Sequence, residues 1–432
     1  MKKKILVISW FFPPVNSSEG LVTYKLLNNS ENKYDVYTQN NSNLWAYKNS
    51  DDIPINNNIN RICSKSKTLE EYKNDAILYF KDNIDKYDII MTRSMPETCH
   101  EIGLSIKKIN PSIKWIASFG DPIAENPFTI KAIDLENPYS LKMRYKRAMG
   151  IKEIFSIKRL LKSCIYNHRI KSSKKDYLLN NNSLQKKIIN ECDYVIYNSI
   201  NQQNYMLKTY ENKNDLIKKS IILPHSYDQK LYSQDKLSIQ DNKKITFTYV
   251  GHLDDIRTPR LIFEALNDLN SEFDDLSKKV EFKFYGNMSD NDKLYLLNNE
   301  LLDIVKIKKN VTYNESLKIM QNSDWLIHID ANIQDIIPEN IFFAAKLADY
   351  LGAENKIIGI TMLDGISADI LRENNALVIS HSKEDIKNYL YLIIYENYNI
   401  IMNSNARQKY NSQNVAKLFD KKIIEIEKSR EI

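Results

Sequence analysis

At 432 residues the chain is too long for one core of ordinary size, and two or three domains are expected. Its 43% hydrophobic and 27% charged residues are those of a folded soluble protein, and no apolar run approaches the roughly 18 residues that cross a bilayer. The net charge of +6 is too modest to point to nucleic acid, and four scattered cysteines without CxxC or Cys/His spacing point away from a disulfide framework or a zinc site.

The opening MKKKILVISWFF has the basic lead and apolar run of a signal peptide, but Pro13 and Pro14 cut it short and no small-residue cleavage site follows. It reads as a first buried strand, and a cytoplasmic protein is expected. Further strands are read at residues 34–38, 87–92, 113–118 and 193–198; several are continuous apolar runs, as in a parallel sheet covered on both faces. Between the first two lies SEGLVTYKLLNN, a helix with Ser18 as its N-cap and Gly20 in its first turn. Residues 40–60 are polar and read as a surface loop.

The alternation stops at about 123–190. Between Leu141 and Lys175 twelve Lys or Arg stand against one acid, Glu153, with Ile and Leu interleaved at near-helical spacing. Such a basic amphipathic segment suits an anionic membrane surface, the other reading being a solvated helical insertion. Strand and helix patterns resume at 245–250, 280–285, 302–307, 324–329, 356–361 and 376–380. The resulting division is a first domain over 1–225 with a basic insertion, a linker at 226–242, a second domain over 243–385, and C-terminal helices over 386–432 expected to cross back over the two halves. The fold class is α/β, two Rossmann-like domains facing across a cleft.

Only nine glycines are present, and Gly20, Gly120, Gly251 and Gly286 each follow a strand-like run, where open α/β sheets hold ligands. In the second half, PENIFFAAKLADYLG (338–352) lies between two strand runs and reads as a loop followed by a short helix. The N-terminus of such a helix favours anions, with Lys346 near its start and Asp349 three residues on along the same face. These residues suit a phosphate and a sugar hydroxyl; equally, they suit the solvated face of an ordinary amphipathic helix. In VGHLDDIRTP the strand ends at Gly251 and Arg257 follows, a permanent cation able to grip phosphate oxygens or to lie on the surface. The first strand lacks a GxGxxG, which argues against a dinucleotide dehydrogenase.

These segments together resemble a GT-B glycosyltransferase, most closely the retaining enzymes of glycosyltransferase family 4. The resemblance rests on FFPPVNSSEG after the first strand, GHLDDIR, YNESLKIMQNSD, and KLADYLGA, which is similar to the KLxDYLGA segment of surface-polysaccharide enzymes. It implies that Arg257 and Lys346 contact a donor diphosphate beside Gly251, that Asp349 takes the ribose hydroxyls, that Gly20 lets the first-domain loop approach the donor, and that Asp121 lies on the acceptor side. The family's paired acids would fall at 341 and 349; here they are Ile341 and Asp349, with Glu339 as the substitute for the missing acid. The implied activity is metal-independent, retaining transfer of a hexose from a nucleotide-diphosphate sugar, with a UDP-sugar the expected donor and no cofactor. The expected acceptor is a lipid-linked or cell-surface glycan in a bacterium, reached from the inner face of the membrane. The missing acid leaves open an inactive homologue serving a partner transferase, and a soluble nucleotide-sugar epimerase is a separate alternative.

Overall fold

The computed structural model describes residues 4–15, 17–39, 53–133, 157–233 and 244–428, with backbone alone at 159, 166–167 and 169–179. The first part of the basic segment, 141–156, and most of the expected linker therefore lie outside the described residues. Two parallel sheets carry the chain. The first runs β3-β2-β1-β4-β5-β6-β7, from β1 (Lys4–Ile8), β2 (Lys33–Gln39), β3 (Ile59–Ser64), β4 (Ile89–Arg93), β5 (Lys114–Ser118), β6 (Tyr194–Tyr197) and β7 (Ser220–Ile222). The second runs β10-β9-β8-β11-β12-β13, from β8 (Ile245–Val250), β9 (Val280–Tyr285), β10 (Val305–Lys308), β11 (Trp325–Ile329), β12 (Lys356–Ile360) and β13 (Leu377–Ile379).

The sequence explains which strands are central. Ile5–Ile8, all of β4 and all of β11 are buried, and their apolar runs suit strands covered by helices on both faces. In register, Ile5 stands opposite Tyr34 on one side and Ile89 on the other. Edge strand β3 (INRICS) is half exposed, and its Asn60 and Arg61 hide it within a polar stretch; it begins inside the region read as loop. The strand read at 302–307 begins only at Val305, because Leu301–Asp303 forms a turn of 3₁₀ helix. Each sheet reverses its order of winding at one place, between β1 and β4 and between β8 and β11. Such switch points leave a crevice at the strands' carboxyl ends, where α/β sheets take ligands.

The helix Lys383–Tyr395 straddles the expected boundary at 385 but packs on Arg260–Glu272, within the second domain's core. It is Ser412–Lys428 that returns to the first domain and packs against Ser18–Asn29. Val415, Ala416, Phe419, Ile423 and Ile426 bury its inner face. Asp420 accepts from Ser30 Oγ, Asn32 Nδ2 and the Glu31 N–H, pinning the turn that ends the first helix. One apolar cluster thereby runs from Ile5 and Tyr24 through Phe419 to Leu347 and Tyr350, joining the domains behind the cleft. Among the described residues no helix is long and apolar enough to cross a membrane.

Candidate active site

The two switch points face each other across a cleft of about 640 Å³. Its first-domain wall is built by the ends of β1, β4 and β5. Helix Ser18–Asn29 begins at Ser18 itself, with Ser17 in the cap position, and sets Glu19 in its first turn. Arg93, the last residue of β4, donates from Nε to Glu19 Oε2 at 2.8 Å and from Nη1 to Ser118 Oγ at 3.0 Å. Gly120 follows β5, and a Cβ there would stand 2.7 Å from the Glu19 carboxylate. Asp121 comes next on the cleft wall; burial, and then the charge of Glu19, lift its carboxyl to about 6, against the pull of Arg93 and Arg257. This wall therefore presents two carboxyl groups, one of them poised near neutrality.

The second-domain wall is cationic. Gly251 follows β8 at φ +132°, and a Cβ there would lie 2.9 Å from Lys346 Nζ. Asp254 Oδ1 then accepts from the N–H groups of Ile256 and Arg257, both at 2.8 Å, closing a turn that presents Arg257 to the cleft. The Arg257 guanidinium lies 5.7 Å from the ring of Phe128 on the opposite domain, and its buried Nε has no hydrogen-bond partner. Lys346 hydrogen-bonds Tyr249 Oη and lies 4.2 Å from that ring. Burial first, and Arg257's charge second, hold the ammonium well below the ordinary lysine range. Helix Ala345–Ala353 begins at the cleft with Ala344 as N-cap and no side chain capping it, so its first N–H groups and positive end face the same space.

Asp330, just past β11, is the buttress of this wall. Its Oδ2 accepts from Asn340 Nδ2 at 2.9 Å and Thr361 Oγ1 at 2.8 Å, and Oδ1 lies 3.1 Å from His328 Nε2. Burial opposes its ionisation, but His328, Arg257 and Ser367 hold the carboxyl well below its usual range. Asn340 in turn holds the loop before the helix: its N–H donates to Asp364 O and its carbonyl accepts from the Ile366 N–H, both at 2.9 Å. Gly365, at φ +117°, is required beside it, since a Cβ would come within 2.2 Å of Asn340 O.

At the closed end of the cleft the domains meet through charge. Lys25, 1% exposed, donates to Asp349 Oδ1 at 2.7 Å, and Tyr313 Oη donates to the same oxygen at 2.9 Å. Burial raises the Asp349 carboxyl, while Lys25 and Tyr313 pull it back.

Of the residues singled out from the sequence, Asp121, Gly251, Arg257, Lys346 and Asp349 line this one cleft. Two others do not. Gly20 sits where a Cβ would press on the Phe11 and Phe12 backbone at 3.1 Å, so it lets the helix pack on its own preceding loop instead of opening the loop to a ligand. Glu339 accepts from Asn201 Nδ2 at 3.1 Å and is not among the residues lining the cleft. Ile341 is 1% exposed and packs with Ala331, Ile333, Ile337 and Met362, so an apolar contact stands where the family pattern has an acid. The sequence reading missed Glu19, Lys25, Arg93, Asp330 and Asn340. Glu19 beside Gly20 and Asp330 directly after an apolar strand carry a positional signal; Lys25 carries none, because its partner is 324 residues away.

Two parallel sheets facing each other across this cleft form a two-domain, Rossmann-like architecture. No protein-family model and no curated protein matches the chain by sequence. Solved structures do match over nearly the whole length. Sucrose-phosphate synthase from Thermosynechococcus elongatus aligns with a TM-score of 0.65 at 12% identity, covering 99% of this chain and 100% of that one. The UDP-forming α,α-trehalose-phosphate synthase from Burkholderia xenovorans, in complex with glucose-6-phosphate, aligns at 0.59 and 8% identity, covering 97% and 99%. The lipopolysaccharide outer core galactosyltransferase WaaB aligns at 0.56 and 10% identity, covering 98% and 99%. At such identities the likeness establishes the GT-B fold.

Proposed function

We propose that the protein is a retaining glycosyltransferase, of the family 4 type, that moves a sugar from a nucleotide-diphosphate sugar to a hydroxyl of a cell-surface or lipid-linked glycan. The observation that carries this reading is that Arg257, Lys346 and the uncapped start of helix Ala345–Ala353 line the same cleft at the second-domain switch point. The buried Arg257 Nε has no protein partner and burial depresses the Lys346 ammonium, and a diphosphate would satisfy both. UDP-sugars are the proposed donors, and two fixed side-chain cations with backbone N–H groups meet the diphosphate charge without requiring a metal.

In this mechanism the bond between the anomeric carbon and the diphosphate oxygen breaks as the acceptor oxygen bonds the same face of that carbon. Negative charge grows on the leaving oxygen, and Arg257, Lys346 and the helix dipole, already aimed there, stabilise it without reorganising. The acceptor's proton passes to the departing phosphate or to Asp121, whose carboxyl titrates near 6. Asp349, already held by Lys25 and Tyr313, is the proposed ribose contact.

The test is proton NMR of the reaction with UDP-hexoses and a panel of glycan acceptors, with and without a chelator. The expected outcome is acceptor-dependent release of UDP, an unchanged anomeric configuration and no effect of the chelator. Inverted product would overturn the retaining mechanism. Rearrangement of the donor sugar without an acceptor would replace the transferase by an epimerase.

A further inference from the structure

The helix Ile157–Glu191 is 35 residues long, yet among its described side chains the first buried one is Gln185. From there Gln185 Oε1 accepts the Ile123 and Ala124 N–H groups at 3.0 Å, and Ile188 and Ile189 enter the first-domain core. About 40 Å of helix precedes that anchor. Its first turns carry Ile157 (74% exposed), Leu160 (39%), Leu161 (59%) and Ile165 (53%), with exposed Cys164 among them. Spacings of three and four place these on one stripe. Exposed Lys158 and Lys162 flank it. From 157 to 175 the sequence adds Arg159, Arg169, Lys171, Lys174 and Lys175, without one Asp or Glu.

A helix this polar gains little from its own backbone, and a stripe of four large apolar side chains in water asks for a cover. We propose that the face of Ile157, Leu160, Leu161 and Ile165 docks on an anionic lipid bilayer, lying in the headgroup plane with its lysines on lipid phosphates. Charge selects this occupant. A second copy of the helix would bring seven cations against seven, and a heptad continued from Ile157 and Leu161 through Cys164 reaches His168, Lys171 and Lys175, so no coiled-coil seam forms. An apolar stripe bordered by Lys and Arg alone matches the boundary between headgroups and acyl chains. This surface lies outside the cleft, and its docking can succeed or fail independently of any transferase activity.

The test is co-sedimentation of the full-length protein with vesicles of phosphatidylcholine containing phosphatidylglycerol, against phosphatidylcholine alone. In parallel, Cys63→Ser protein is labelled at Cys164 with an environment-sensitive fluorophore. Expected are binding to the anionic vesicles that weakens with salt, and a blue shift of the probe on binding. Lys158→Gln with Lys162→Gln should weaken binding about fivefold per lysine. Leu161→Ser with Ile165→Ser should abolish it while the melting temperature stays unchanged, since neither side chain is buried. Equal binding to neutral vesicles, full binding by both variants, or a probe shift that rises with protein concentration without vesicles would overturn the proposal. A shift with single-stranded oligonucleotide and none with vesicles would equally overturn it.

Discussion

The cleft has two walls made by the same topological device and opposite chemistry. Each is the switch point of a parallel sheet, with a helix starting just past the strand ends. On the first domain the side chains delivered there are Glu19 and Asp121, with Arg93 neutralising one of them; on the second they are Arg257 and Lys346 beside an uncapped helix N-terminus. The backbone supplies the crevice and the sequence supplies its sign. Under the proposed function an anionic donor would sit on the second wall and a hydroxyl acceptor on the first.

The contrast breaks first where the walls are tied together. Lys25→Met should leave Asp349 a buried, uncompensated carboxylate and cost about 3–5 kcal/mol in chemical denaturation, whereas Lys25→Met with Asp349→Leu should recover most of it. Next comes the backbone beneath the cationic wall. Gly286 has φ +134°, and a Cβ there would lie 2.1 Å from Gly251 O, so Gly286→Ala should lower stability by about 1–3 kcal/mol and weaken nucleotide binding with it.

Two smaller effects sharpen the contrast through protons. If a diphosphate settles beside Lys346, the depressed ammonium is restored, and calorimetry of UDP binding in buffers of different ionisation enthalpy should reveal proton uptake that Lys346→Met removes. On the other wall Asp121 works in the opposite sense. Its folded-state carboxyl titrates at about 6 against 3.8 unfolded, so between those values the folded protein holds a proton that the unfolded chain has released. Stability should fall as pH rises through this window, and Asp121→Asn should flatten that part of the profile.

What the sequence disclosed follows the same division. The sheets were legible because central strands buried on both faces must be continuous apolar runs, and β8 and β9 coincide with the stretches read for them. The cationic wall was legible because Gly251, Arg257 and Lys346 are local features of strand ends and a helix start. Glu19, Arg93 and Lys25 were hidden because each acquires meaning from a residue distant in sequence, Arg93 from Glu19 and Lys25 from Asp349. Gly20 and Glu339 misled for a related reason: position after a strand, or near a motif, says nothing about which way the residue faces once the loop has packed.

If the second wall alone carries the donor's charge, titration of UDP into the wild-type protein, Arg257→Ala and Asp121→Asn at constant ionic strength will separate the two walls. Loss of charge-assisted bonds to phosphate should weaken Arg257→Ala by about 1.5–3 kcal/mol, or roughly tenfold to 150-fold. Asp121→Asn should bind at least as tightly as wild type, having lost only a nearby acid. Equal affinity in all three, or a loss confined to Asp121→Asn, would contradict the assignment of the two walls.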